Sequence, residues 1–170
     1  MIIMSRLKRY YHHGNLYFII AVTHKRQKIL VHHKELLWDS LIKFRNEANF
    51  IIIAYVILSD HFHIIIEIHE LDLSAVMQKI KLSFSKKLRT KVGRMDGIIW
   101  QRRFWDHVIR DQKDLNTHFD YIHYNPVKHG LTGNPFEWEH SSIHDFHAEG
   151  YYPVDWGVID KPKMDGDYGE

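Results

Sequence analysis

Two imidazoles one residue apart, His61 and His63, and a phenol and a carboxamide four residues apart, Tyr121 and Asn125, are the groups best placed to do chemistry in this 170-residue chain. On a strand, alternate side chains share a face. Phe62, Ile64, Ile66 and Ile68 then form a core face, while His61, His63, Ile65, Glu67 and His69 share the other. Paired imidazoles on one face can chelate a divalent metal. On a helix, Tyr121 and Asn125 sit one turn apart, beside His118, on a flank of the core stripe made by Leu115, Phe119 and Ile122. Tyr124 projects nearly opposite that stripe and is placed at the surface. A metal held by nitrogen and oxygen ligands would polarise a phosphate, and the phenol would attack phosphorus. Each feature taken alone keeps a plainer alternative. An H-x-H is weak evidence in a chain with 15 histidines. Tyr121 reads equally as a packing residue, Asn125 as a helix-end residue before proline, and Glu67 and His69 as structural groups or contacts to DNA.

The elements that must position these groups follow from periodicity. Residues 16–23, 50–58 and 61–69 read as buried strands, with Ser59-Asp60 as the tight turn between the last two. Residues 33–49 and 73–89 have helical spacing, a further strand falls around 104–109, and a helix runs from Asp114 to about Tyr124 before Asn125-Pro126. The order is that of the split βαβ unit. The expected fold class is α+β: a ferredoxin-like (RRM-like) antiparallel sheet with helices on one face, plus a C-terminal helix and an extended tail. One sheet face is then left for a ligand. The expected division is a domain over 1–132 and an acidic, largely irregular tail over 133–170, packed on or near it.

The chain has no cysteine, which excludes disulfides, a thiol nucleophile and thiolate-bound zinc. No apolar run reaches membrane-spanning length, and the first residues lack a signal-peptide layout, so a cytoplasmic location is expected. The net charge of +2 conceals a division. Residues 1–136 carry +9 and residues 137–170 carry −7. A basic body points to a polyanion partner, nucleic acid above all.

Longer motifs sharpen this. His61-Phe62-His63 fits an HUH motif, in which U is a large hydrophobic residue. Residues 99–110 (IWQRRFWDHVIR), 121–131 (YIHYNPVKHGL), Phe136-Glu137-Trp138, Ser141-Ser142 and 152–157 (YPVDWG) accompany it. With these, the chain from about Tyr10 to Gly157 resembles the single-tyrosine HUH transposases. It is most similar to the REP-associated tyrosine transposases of the IS200/IS605-like group.

The resemblance implies cleavage and rejoining of single-stranded DNA through a 5′-phosphotyrosine at Tyr121, without an external energy source. His61, His63 and Asn125 would hold Mg²⁺ or Mn²⁺. The insertion-sequence branch carries Gln at the position of Asn125, and the family often has Asn at the position of Asp60. The implied substrate is a palindromic hairpin with an adjoining single-stranded segment, handled in the nucleoid. The acting form is a monomer, toward which the REP-associated branch points, or a homodimer. Arg6, Lys8, Arg9, Lys25, Arg26, Lys86, Lys87, Arg89, Arg102, Arg103 and Arg110, with Lys28 and Lys91, are candidates for DNA backbone contacts. Tyr10, Tyr11, Trp100, Phe104 and Trp105 are candidates for base stacking, with core packing the alternative for the last three. The acidic tail is a candidate brake that competes with DNA. Two other readings compete: a non-catalytic binder of single-stranded or hairpin nucleic acid on the same sheet, and a metal-dependent hydrolase with no covalent step. Binding alone does not require His61, His63 and Tyr121 together, and a hydrolase would need further ligand motifs.

Overall fold

The computed structural model describes residues 16–68, 72–93, 97–159, 161–163 and 168. Four strands, β1 (Leu16–Val22), β2 (Ile51–Ile57), β3 (His61–Glu67) and β4 (Trp105–Val108), form one antiparallel sheet in the order β2-β3-β1-β4. Helices α1 (Lys34–Ala48) and α2 (Leu73–Val92) cross over between strands, and α3 (Gln112–Lys128) follows β4. This is the ferredoxin-like order expected from the sequence.

The hydrophobic strands are buried because the sheet is covered on both faces. Phe62, Ile64 and Ile66 of β3 pack with Leu37 and Leu41 of α1 and with Val76, Ile80, Phe84 and Leu88 of α2. The alternate residues, with Phe18, Ile20, Val56 and Ile65, pack with Leu115, Phe119, Tyr121 and Ile122 of α3. The second face is therefore not left bare for a ligand. The register fixes which side chains share it: Val22 lies opposite His61 and Ile20 opposite His63. A slip of one residue would turn both imidazoles into the α1–α2 core. The β2–β3 turn at Ser59-Asp60 is closed by Leu58 N–H donating to the His61 carbonyl over 2.9 Å.

Helix α3 begins two residues before Asp114. Asp111 is its N-cap and accepts from the Asp114 amide over 2.8 Å, a cap worth about 1 kcal/mol. It also runs past Asn125-Pro126 to Lys128. Proline within a helix loses one donor, here the bond to the Ile122 carbonyl. Burial of Tyr124, Asn125 and Pro126 outweighs that loss. The further turn brings Lys128 and His129 alongside the nucleophile candidate, which a helix ending near Tyr124 would not have done.

The segment after Gly133 contains a short helix, α4 (Ile143–Ala148), hidden in the sequence by its irregular composition. Ile143, Phe146 and Tyr152 are buried in the same core as α3. Trp138 donates its indole N–H to the Ile57 carbonyl over 3.0 Å, and Ser141 bridges to Val56. Tyr124 is buried, not at the surface as its helical angle suggested. It packs edge-on to Trp156 and close to Gly157, where a φ of 76° disfavours any side chain and a Cβ would run into Pro135 at 2.9 Å and the Tyr124 ring at 3.2 Å. The tail covers the side of α3 that would otherwise face water. Among the described residues no helix is long and apolar enough to cross a membrane.

Candidate active site

Strand β3 and helix α3 meet on the covered face, and the residues singled out from the sequence converge there. The His61 and His63 rings lie 5.0 Å apart, and the His63 ring meets the edge of Tyr121 at 5.5 Å. Both histidines, Tyr121 and Asn125 are almost fully buried, at 2%, 0%, 1% and 0% exposure. Phe18 of β1 fixes the arrangement from below. It stacks on His63 at 5.7 Å and meets Tyr121 edge-on at 5.9 Å.

Asp60 does more than end the hairpin. Its Oδ1 lies 2.6 Å from Nδ1 of His61, and its Oδ2 accepts from Arg26 over 3.3 Å. A carboxylate on Nδ1 leaves Nε2 as the basic, ligating nitrogen of the ring. Burial pushes the Asp60 carboxyl up, but the His61 and Arg26 hydrogen bonds and charges outweigh it and hold the group below its ordinary value. Lys25 and Arg26 both adopt left-handed backbone, φ 53° and 51°. Such strain persists only where the surroundings over-determine it, and here it brings Arg26 to Asp60.

The fit of a divalent metal can be judged from the donors. Two imidazoles and a carboxamide oxygen suit first-row divalent ions. Neither Oδ1 nor Nδ2 of the buried Asn125 has a hydrogen-bond partner among the described residues. A buried amide left unmade costs about 1–3 kcal/mol. That cost is understandable in a group kept for a ligand. The residues present fit the metal.

Sequence reading missed three neighbours. Lys128 donates from Nζ to the Tyr121 hydroxyl over 2.9 Å, and its ammonium lies 4.6 Å from the ring centroid. His129 meets His61 at 5.0 Å. Tyr168 stacks flat on Tyr121, centroids 3.9 Å apart. Lys128 was detectable as the i+7 partner of Tyr121 on one helix face. Tyr168 had no local signal at all.

A second imidazole–carboxylate group stands on the same face. His107, Asp114 and His118 place ligand atoms within 4.8 Å of one another. Asp114 accepts from Nε2 of His107 over 2.8 Å and from both the amide and Nε of Arg110 over 3.0 Å. It also lies 3.2 Å from Nδ1 of His118. Burial works against the Asp114 anion, but the His107 and Arg110 bonds overcome this and bring its carboxyl down to about 2. With its oxygens so engaged, the cluster joins β4 to α3 as an ion-pair clasp.

The basic residues do not form one patch. Arg26 stands beside Asp60, the partner of His61, and Lys25 precedes it in the same short turn. Lys86, Lys87 and Arg89 lie on α2, where Lys87 pairs with Asp39 at 3.5 Å and Arg89 donates to the Gly97 carbonyl. Arg102 and Arg103, with Lys81 and Arg89, line an open groove of about 720 Å³ between α2 and residues 97–106. Arg110 is bound to Asp114. Lys28 and Lys91 are exposed. Arg6, Lys8, Arg9, Tyr10, Tyr11 and His69 lie outside the described residues. Trp100 is a core residue between Phe62 and Phe84, while Phe104 and Trp105 are half-buried.

Comparison with known proteins gives the family. A family model described as IS200-like transposase matches residues 11–125. The REP-associated tyrosine transposase of Escherichia coli (strain K12) is 36% identical over 156 residues, covering 90% of this chain and 91% of that protein. A solved REP-associated tyrosine transposase bound to a REP hairpin is 35% identical, with a TM-score of 0.77, covering 95% of this chain and 96% of that one. A crystal structure from Deinococcus radiodurans R1, 14% identical with a TM-score of 0.51, covers 65% of this chain and 90% of that one and shows the fold alone.

Proposed function

From the premise that the chain belongs to the IS200-like transposases, and to their REP-associated tyrosine transposases, we propose that it cleaves and rejoins hairpin-associated single-stranded DNA with Tyr121 as the nucleophile. The observation that carries the reading is the meeting of His63 with Tyr121 at 5.5 Å, one helical turn from the buried amide of Asn125, which has no hydrogen-bond partner among the described residues. His61, His63 and Asn125 would hold a divalent ion, Mg²⁺ or Mn²⁺. When bound, that ion supplies charge neutralisation and polarisation at the scissile phosphate. Asp60 holds His61 in the ligating tautomer. Phe18 and the helix hold Tyr121 against His63. The Tyr121 oxygen attacks phosphorus, the bond to the 3′-oxygen breaks, and a 5′-phosphotyrosine and a free 3′-OH result. Return of a 3′-OH to that phosphorus rejoins the strand.

The partner is hairpin DNA of the palindromic-repeat class. Arg26 stands beside Asp60, with Lys25 in the same short turn, and the groove containing Lys81, Arg89, Arg102 and Arg103 offers a second backbone-binding surface. The protein acts in the cytoplasm, as a monomer, on DNA of the nucleoid.

The test uses labelled hairpin oligonucleotides with adjoining single strands, taken from repeats flanking the coding sequence, with Mg²⁺ or Mn²⁺. Denaturing gels should show a covalent protein–DNA adduct that disappears in Tyr121→Phe. Cleavage surviving that change would favour the hydrolase, and binding without cleavage the passive binder.

Tyr168 lies flat on Tyr121, which supports the acidic tail as a brake. Removal of the segment after Lys163 takes away that ring and keeps Ile143, Phe146 and Tyr152 in the core. Adduct formation should rise several-fold. A truncated chain that melts like the full one and reacts no faster would exclude the brake.

A further inference from the structure

Lys128 stands out as a cation whose place the nucleophile reading leaves unexplained. It lies at the C-terminal end of α3, two turns beyond Tyr121 on the same face. The residue is exposed, yet its Nζ reaches back to donate to the Tyr121 hydroxyl over 2.9 Å, with the ammonium 4.6 Å from the ring centroid. Holding a lysine in one geometry costs rotamer freedom. The helix end, where cations are favoured, and the face of the phenol ring together offset that cost. The extension of α3 through Pro126 is what carries Lys128 to this position.

We propose that Lys128 is a catalytic residue that stabilises negative charge on the Tyr121 oxygen in both directions of the reaction. The inference rests on Tyr121 being the nucleophile. As the phenol attacks, the Oη–P bond forms, the P–O3′ bond breaks, and the phenol proton is transferred by way of solvent to the departing 3′-oxygen, which leaves as 3′-OH. In rejoining, the O3′–P bond forms, the Oη–P bond breaks, and the proton returns to the phenol. The oxygen of Tyr121 carries partial negative charge in both transition states, because they are one transition state crossed in opposite directions. A fixed ammonium donor at that oxygen lowers the barrier each way. Lys128 remains an ammonium throughout, so no oxidant, reductant or further proton donor is needed. Proximity to a buried nucleophile would make this donor more effective than one in bulk water, and its exposure makes it less effective than a fully enclosed one.

The test measures single-turnover adduct formation, rejoining from the isolated adduct, and hairpin affinity, using the labelled oligonucleotides described above. Lys128→Met keeps the aliphatic stem and removes the charge. It should slow adduct formation by about 10- to 100-fold, given that losing one such donor in an enclosed site costs about 100- to 1,000-fold. Rejoining should slow by the same factor, with affinity changed less than twofold. Lys128→Arg should recover most of both rates. Replacing Tyr121 by di- and trifluorotyrosine makes the phenolate a weaker base, and the Lys128→Met deficit should shrink with each fluorine. A purely structural lysine would show no such trend. Lys128→Gln serves if the Met variant does not fold. Adduct formation by Lys128→Met within twofold of wild type, with Tyr121→Phe inactive, overturns the role of Lys128 and leaves the nucleophile in place. A rate loss matched by an equal loss of hairpin affinity also overturns it, assigning Lys128 to DNA binding. An adduct that survives Tyr121→Phe, or no adduct from the wild-type protein with any hairpin, overturns both readings.

Discussion

Two histidine clusters stand on the same face of the sheet, and they are built differently. In the first, His61 lies beside His63 and His63 meets Tyr121, and the amide of Asn125, one helical turn from Tyr121, is buried with no hydrogen-bond partner among the described residues. In the second, His107 and His118 stack at 4.8 Å beside Asp114, whose Oδ2 accepts from His107 and Arg110, while Nδ1 of His118 donates to the Asp114 backbone carbonyl over 2.8 Å. The second carries a carboxylate, but one already engaged. The first carries the buried amide of Asn125, whose capacity is unused among the described residues. Ligand type alone therefore does not identify a metal centre. A group that is already satisfied gains little by exchanging its partners for an ion, whereas a buried amide without partners gains a great deal.

The comparison can be broken most directly at the ligands. His63→Ala should weaken Mn²⁺ binding by about 100-fold or more, since loss of even an outer-shell partner costs about 10- to 100-fold. His118→Ala should leave it unchanged. Calorimetry or Mn²⁺ EPR reads both, and a reversed pattern would move the metal to the second cluster.

The clasp should show itself in stability. Asp114→Asn removes the charge that ties β4 to α3 and should cost about 1–3 kcal/mol in denaturant unfolding, with Mn²⁺ affinity intact. The Asp114 carboxyl is held at about 2, below its ordinary 3.8. Its contribution is present above about pH 4 and is lost as pH falls toward 2. Asp114→Asn should flatten that part of the acid-unfolding curve.

A third histidine gives an acid-sensitivity control. His123 is fully enclosed, 2.8 Å from Ser142 Oγ and 3.2 Å from the Tyr152 hydroxyl, and burial brings it down to about 3. The unfolded chain takes up this proton near pH 6.5 and the folded one does not. Stability should fall by about 1.4 kcal/mol per pH unit between roughly pH 6 and 4. His123→Gln should remove that slope, whatever it does to stability at neutral pH. A slope unchanged in His123→Gln would place the sensitivity elsewhere.

The smallest effect is the most telling for the first cluster. Asn125→Leu replaces an unbonded buried amide by an apolar side chain of similar size. Melting temperature should stay level or rise, while Mn²⁺ affinity drops about tenfold. A large loss of stability would show that the amide has partners and is a structural group.

Much of this was legible in the chain itself. The apolar, β-branched runs at 16–23, 50–58 and 61–69 specify strands, and the alternation of side chains along the third puts His61 and His63 on one face. The i, i+4 spacing puts Tyr121 beside Asn125. Burial reversed the placement of Tyr124, because a helical angle tells which side chains share a face and not what covers that face. The start of α3 moved to Asp111 for a related reason. Asp111 and Asp114 are both good capping residues, and the bond of Asp114 to His107 of β4, with the local one from Arg110, shows that it is occupied elsewhere.

By itself, the sequence determined the order of elements, the shared face of the two imidazoles, the phenol–amide pair and the division of charge. These depend on intervals of two, three or four residues, and backbone geometry fixes them locally. The tertiary structure decided the rest: that β3 and α3 face each other, that Arg26 reaches Asp60 beside His61 and that Tyr168 covers the ring of Tyr121. Those contacts join residues separated by up to 58 positions. Only the packing of α3 and the tail over the sheet brings them together, because no local rule relates one to the other.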